Sequence, residues 1–328
     1  MDFIEGIKLS TLLKQPTEDE DAEIVLDPAV DNTTLDIIYE QLADYIHQIS
    51  QMEFPLIGAI SKDALGDWTV TRRPLTYDMN ELVTGTGYPA DQLPTASFNT
   101  ASDFFESIAR QRLLHLETQR NIAKDEANVI RRFTARHLFK QLIPRYTIDD
   151  AGTFRLFCDD MRPSNILIDP STIRITAILD FEFTNSMPAQ FVYNPPWWLL
   201  LRGPDVWIDR DNLDEFIARY VPRMEQFLRA LEKVEQKSMK NGDKNMTTSL
   251  STRMRESWAS GRFWFDYAAR TCLDMDEVYW HVLHNKCFPN NSSHVDEATM
   301  KGLDPLIERK MEQLRAYEEE YAARFPDP

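Results

Sequence analysis

From Thr34 onward, apolar side chains recur every three or four positions, at Leu35, Ile38, Leu42, Tyr45, Ile46, Ile49 and Met52. That period marks one buried face of a helix, and Thr33 or Thr34 can cap its start. Then the pattern changes. "FPLIGAIS" and "DWTVTRRPLT" flank "KDALG", with Gly66 near the turn and Trp68 and Val70 on alternate positions, which predicts a two-stranded hairpin. Helical spacing resumes through Phe104, Phe105, Ile108, Arg112, Leu113 and Leu116, with Thr100 or Ser102 as candidate caps. Another helix follows through Ile130, Phe133, Leu138, Leu142 and Ile143, closed by Pro144.

Between Phe154 and Phe183 the helical period yields to short β-like segments, "FRLFC", "NILID" and "IRITAILDFEF", rich in β-branched residues. Beyond them the chain reads as helical to its end. "LDEFIARYVPRMEQFLRALEKVEQK" contains Pro222 as a bend, "SWASGRFWFDYAARTCLDMDEVYWHVL" is rich in aromatics, and "LIERKMEQLRAYEEEYAAR" is amphipathic. Residues 15–33 mix a charge run with two prolines and read as an exposed connection, and "KSMKNGDKNMTTS" reads as a flexible loop. The pattern predicts an α+β, mainly helical protein with a small strand insert in its middle.

With 328 residues, 43% of them hydrophobic, the chain can bury a sizeable core. Its 36 basic and 53 acidic side chains leave a formal charge of −17, which repels nucleic acid and anionic lipid and argues against both as partners. Cys158, Cys272 and Cys287 form neither a disulfide framework nor a CxxC pair, so a reducing compartment is expected. No apolar run approaches the roughly 18 residues of a membrane span. The N-terminus lacks the apolar stretch of a signal peptide, and the expectation is a cytoplasmic protein.

Candidate chemistry concentrates around the strand insert. Asp160 and Asn165 are separated by four residues, as in the D-x-x-x-x-N of a kinase catalytic loop, and Asp180 stands at the end of a following β-like run. Phosphoryl transfer needs a carboxylate to orient or deprotonate the attacking hydroxyl, and hard oxygen ligands to hold Mg²⁺ against the nucleotide phosphates. On residue types alone, ordinary turn and cap chemistry accounts for these residues as well. Pro195-Pro196-Trp197-Trp198 reads as a core anchor, although stacked aromatics can also hold cationic or planar ligands. Trp258, Phe263, Trp264, Phe265 and Tyr267 read as core packing, and His281 and His284 lack a third metal ligand at suitable spacing.

The stretch "FCDDMRPSNILIDPSTIRITAILDFEFTNSMPAQF" resembles the aminoglycoside phosphotransferase and choline kinase-like family, especially its fungal members. The family pattern runs approximately H-G-D-x-x-P-x-N-[IVL]-[ILM]-[VI]-D, an interval, then [IV]-[IL]-D-[WF]-[EG]. Asp160, Pro163, Asn165, Ile166, Leu167, Ile168 and Asp169 fill the first part, and Ile178, Leu179, Asp180, Phe181 and Glu182 the second. The resemblance implies the large lobe of a protein-kinase-like fold, spanning residues 15–328 after a hinge-like remnant at 1–14. It also implies ATP and Mg²⁺ as reactants, a small-molecule hydroxyl acceptor, Asp160 as catalytic base, and Asn165 and Asp180 as magnesium ligands. Arg162 can steady a nucleotide phosphate, pair with Asp159, or stay solvated.

Three departures qualify this resemblance. Cys158 stands where the family usually carries His, and a thiol cannot make the hydrogen bonds of that ring. Asp159 stands where Gly is common and reads as a second turn carboxylate. "FIEGIKLSTLL", residues 3–13, is similar to the family's hinge, but no Gly-rich loop or strand lysine of a nucleotide-binding small lobe is recognisable. "TGTGYP" at 84–89 lacks a third Gly and a preceding strand, and reads as a loop. Impaired turnover, a non-catalytic pseudokinase-type binding module and a fragment of a longer kinase are the alternatives these departures raise.

Overall fold

The computed structural model describes residues 4–19, 22–240, 248–288 and 295–325. The architecture is α+β, with 57% of residues helical and 12% in strands, so helix packing forms the core and the strands act as its frame. Helix Asn32–Ser50 buries Leu35, Ile38 and Leu42 as the spacing predicts, together with Tyr39 and Ala43, whereas Met52 lies beyond the helix and is exposed. The buried face lies along helix Leu213–Lys240, where Tyr39 meets Phe227 edge-on at 5.9 Å. The cap is neither predicted threonine: the Asp31 carboxylate accepts from Thr34 N at 3.0 Å. A carboxylate there also meets the positive end of the helix dipole. Asp31→Ala should therefore cost about 1 kcal/mol of stability in a urea titration.

Among the described residues eight strands form two separate antiparallel sheets. β1 (Ile7–Lys8), β6 (Ile166–Asp169) and β7 (Arg174–Ile178) form one, in the order β1-β6-β7. The other contains β2 (Glu53–Phe54), β3 (Gly58–Lys62), β4 (Trp68–Arg72), β5 (Phe154–Cys158) and β8 (Thr184–Met187), ordered β2-β5-β8-β3-β4. The 58–72 hairpin is present as predicted. At Gly58 a Cβ would lie 2.2 Å from Arg72 O and 2.7 Å from Val70 Cγ1, so only glycine allows its two strands to close.

The strands are therefore not one local insert. "FRLFC" and "NILID", adjacent in sequence, do not pair. β5 pairs with β8, Leu156 opposite Ser186, while β6 pairs with β7, Ile166 opposite Ile178. The residues between β5 and β6 cross from one sheet to the other. The hinge-like segment supplies β1, with Ile7 opposite Ile168, followed by helix Leu9–Leu13.

Several local expectations shift. Helix Glu126–Gln141 ends before Pro144, which instead occupies the first turn of a separate short helix, Ile143–Tyr146, where a missing N–H costs little. Helix Tyr77–Thr86 was not legible as a helix, and the "TGTGYP" segment read as a loop contains its last residues. Gly87 closes that helix in the left-handed conformation at φ 71°. Pro222 lies inside helix Leu213–Lys240. The aromatic segment divides at Gly261 into helices Leu250–Ser260 and Arg262–Arg270. The expected 237–249 loop begins as helix to Lys240, and residues 241–247 lie outside the described part.

Behind the loop that carries the candidate site, charged groups are buried in pairs. Arg112, on the apolar stripe of helix Ala101–Thr118, donates to both Asp78 oxygens at 2.7 Å and to Ala269 O at 2.9 Å. Asp276 accepts from Arg136 and from Arg132, tying helix Glu126–Gln141 to the segment after the aromatic helices. Among the described residues no helix is long and apolar enough to cross a membrane.

Candidate functional site

The loop from Cys158 to Asn165 is held at both ends by different sheets. At its exit, Pro163–Asn165 forms a 3₁₀ turn in which Asn165 N donates to Arg162 O at 2.8 Å. Leu179 N, in the first residue after β7, donates to Asn165 O at 2.8 Å, which sets Asp180 beside the loop. Asp180 itself is exposed and adopts a left-handed backbone at φ 59°. An aspartate tolerates that region better than a branched residue would.

Asp160 and Asn165 meet directly: Asn165 Nδ2 donates to Asp160 Oδ2 at 2.8 Å and to Asp160 O at 3.0 Å. The other carboxylate oxygen faces Arg162, whose Nε lies 2.8 Å from Oδ1. Arg162 thus pairs with Asp160, and the alternative partner Asp159 is taken elsewhere. Burial pushes the Asp160 carboxyl above its ordinary value; Arg162 and the Asn165 amide oppose that shift, while Asp159 and Asp180 reinforce it. Asp160, Asn165 and Asp180 are therefore gathered at one place, within electrostatic reach.

Asp159 is not a spare turn carboxylate. Arg270 at the end of helix Arg262–Arg270 donates to its Oδ1 from Nε at 2.8 Å and from Nη2 at 2.5 Å. Both side chains are nearly buried, and the guanidinium also lies 4.6 Å from the Phe157 ring centre. Neither partner reveals this pairing in the sequence, because 111 residues separate them. Cys158 is buried, and burial pushes its thiol up, away from the thiolate that nucleophilic or redox chemistry requires.

Tyr77 is a second residue the sequence does not flag. It opens the unrecognised helix Tyr77–Thr86, stands edge-on to Phe183 at 5.5 Å, and lies within the electrostatic influence of Asp159, Asp160 and Arg162. Trp198 is buried as a core anchor, while Trp197 packs edge-on to Tyr267. Both border a cavity of about 80 Å³ beneath the loop, together with Phe157, Cys158, Met161 and Arg270. A wider groove of about 1430 Å³ lies against helix Asn32–Ser50 and touches none of the candidate catalytic residues. His281 and His284 are engaged by Glu277 O and Tyr279 Oη respectively.

Among the described residues no cluster of three or more His, Cys, Asp or Glu side chains is arranged to hold a metal. The donors at the loop are fewer and of a different kind. With Nδ2 turned to Asp160, Asn165 keeps its amide oxygen as an acceptor, and the Asp180 carboxylate has no hydrogen-bond or ion-pair partner among the described residues. Two oxygen donors suit Mg²⁺, which commonly takes one or two protein oxygens and completes its shell with water and phosphate. The donor set fits that ion.

No known protein family, no curated protein and no solved structure matches this chain. The resemblance to phosphotransferases consequently rests on the motif residues and their arrangement.

Proposed function

We propose that the chain is the large lobe of a protein-kinase-like fold of the aminoglycoside phosphotransferase type, and that it transfers the γ-phosphoryl group of ATP to a small-molecule hydroxyl. The observation that carries this reading is the Asp160–Asn165 bond at 2.8 Å, made where Leu179, the neighbour of Asp180, is bonded to the same asparagine. A base candidate and two hard oxygen donors converge there from two sheets.

In this reading Asp160 receives the hydroxyl proton of the acceptor through a carboxylate oxygen, and Asn165 fixes the rotamer of that carboxylate. Arg162 exchanges its Asp160 partner for a phosphate oxygen as nucleotide arrives, which frees Oδ1 for the acceptor. Asn165 Oδ1 and Asp180 would hold Mg²⁺, which when bound supplies charge neutralisation for the nucleotide phosphates. Partial burial of Asp160 and Asn165 strengthens their contacts, whereas Asp180 meets solvent.

Calorimetric titration of the purified chain with ATP and magnesium tests the reading: saturable binding is expected, and a flat titration at millimolar nucleotide removes it. Arg162→Met should weaken that binding about tenfold, the worth of one charge-assisted hydrogen bond. A second reading, a binding module without turnover, is favoured by the same Arg162 contact, because a carboxylate capped by guanidinium is a poor base. Nucleotide binding without any phosphoryl transfer, unaffected by Arg162→Met, supports it.

A further inference from the structure

The loop lacks the histidine that the family pattern places before its catalytic aspartate, yet its backbone is not left unsupported. Arg270 makes three contacts to one residue: two to Asp159 Oδ1 and one to Asp159 O at 3.3 Å. Its guanidinium is flanked by the rings of Phe157 at 4.6 Å and Phe191 at 5.8 Å. This cationic plane between aromatic faces and a carboxylate is a geometry that lysine cannot reproduce.

The base of this clamp is equally fixed. Helix Arg262–Arg270 buries Phe263, Trp264 and Phe265 in the core. Its fully buried Asp266 accepts from Gln190 at 2.5 Å and from Asn194 at 2.8 Å, and those residues follow β8. Arg270 therefore projects from an element anchored to the body, and it grips the residue immediately before Asp160. We propose that Arg270, acting through Asp159, is the positioning residue that holds the 158–165 loop and so orients Asp160. This role rests on the phosphotransferase reading only in giving Asp160 its purpose; the clamp itself is a property of the chain.

The expected consequence is local. Asn165 N and Leu179 N are both hydrogen-bonded at the loop, so their exchange with solvent reports how often it opens. Site-resolved amide exchange on the full chain should show both amides exchanging about tenfold faster, or more, in Arg270→Met and in Asp159→Asn, with interior amides of helix Ala101–Thr118 unchanged. The double variant should be no faster than either single one, because both remove the same interaction. Arg270→Lys should recover only part of the protection. In turnover, Arg270→Met should lower kcat about tenfold and raise the nucleotide KM as well, because Asp160, Arg162 and Asn165 lie on the one loop it holds, and Arg270→Lys should restore only part of either.

Unchanged loop exchange overturns the proposal, as do strictly additive effects in the double variant or an equal rise throughout the protein. If Arg270→Met does not fold, Asp159→Asn decides by the same criteria, since it keeps the side-chain shape. A flat nucleotide titration of the wild-type chain defeats the phosphotransferase reading while leaving the exchange pattern to judge the clamp, so the two failures are distinguishable.

Discussion

Replacing Asp160 with alanine is expected to reduce phosphoryl transfer by about 10²–10⁴-fold, the usual contribution of a positioned general base. The loss should fall on kcat, because in the proposed reaction the carboxylate acts on the acceptor proton and not on the nucleotide. The fold should survive: Asp160 lies in a loop outside the hydrophobic core, and the rest of the Arg162 side chain reaches solvent. Asn165 would lose its side-chain acceptor but keep the bond to the carbonyl of residue 160. Rates measured at saturating nucleotide with each candidate hydroxyl acceptor check this, and unchanged turnover in Asp160→Ala removes the base assignment.

The largest effect on stability is expected at Asp276, far from that chemistry in role though built from the same kind of pair. Its carboxylate is buried and serves Arg136 at 2.9 and 3.0 Å and Arg132 at 2.6 Å. Asp276→Ala leaves the wholly buried Arg136 without its counter-charge, and should cost about 3–5 kcal/mol in denaturant unfolding. The effect also has a sign in pH. Burial pushes the Asp276 carboxyl up, but Arg136 and Arg132 together outweigh it and hold it below its ordinary 3.8. A carboxyl more acidic in the folded state stabilises the protein above its unfolded value and loses that contribution as pH falls through the folded one. The gap between wild type and Asp276→Ala should therefore narrow as pH is lowered from about 5 into the acid range, and a gap constant with pH would contradict it.

What the sequence disclosed is what neighbours along the chain decide. The stripe of Leu35, Ile38 and Leu42, the hairpin around Gly66 and the strands 154–158 and 166–169 follow from short-range period. Asp160 and Asn165 are also local, being five residues apart and joined by a hydrogen bond within the loop. Strand pairing is another matter. The sequence places β5 next to β6, yet β5 finds β8 and β2, because ladder partners depend on how distant segments stack.

Buried polar groups conceal the rest. Helix Tyr77–Thr86 shows no clean apolar period because its inward face includes Asp78 beside Met79 and Leu82, and the period is broken by an ion pair formed with Arg112, 34 residues later. Asp159 reads as turn chemistry for the same reason: a carboxylate pattern carries no trace of the distant arginine that buries it. Tyr77 and Arg270 carried no signal of their own, since each acquires meaning only from what faces it.

The crossing of the loop between sheets gives the Asp160–Asn165 contact a mechanical meaning. Asp160 follows the five-stranded unit and Asn165 precedes the three-stranded one, and among the described residues no ladder joins the two units. Their amide–carboxylate bond is thus a stitch across a seam. Sliding of one unit against the other would change the separation between the Asp160 carboxylate and the Asn165 amide.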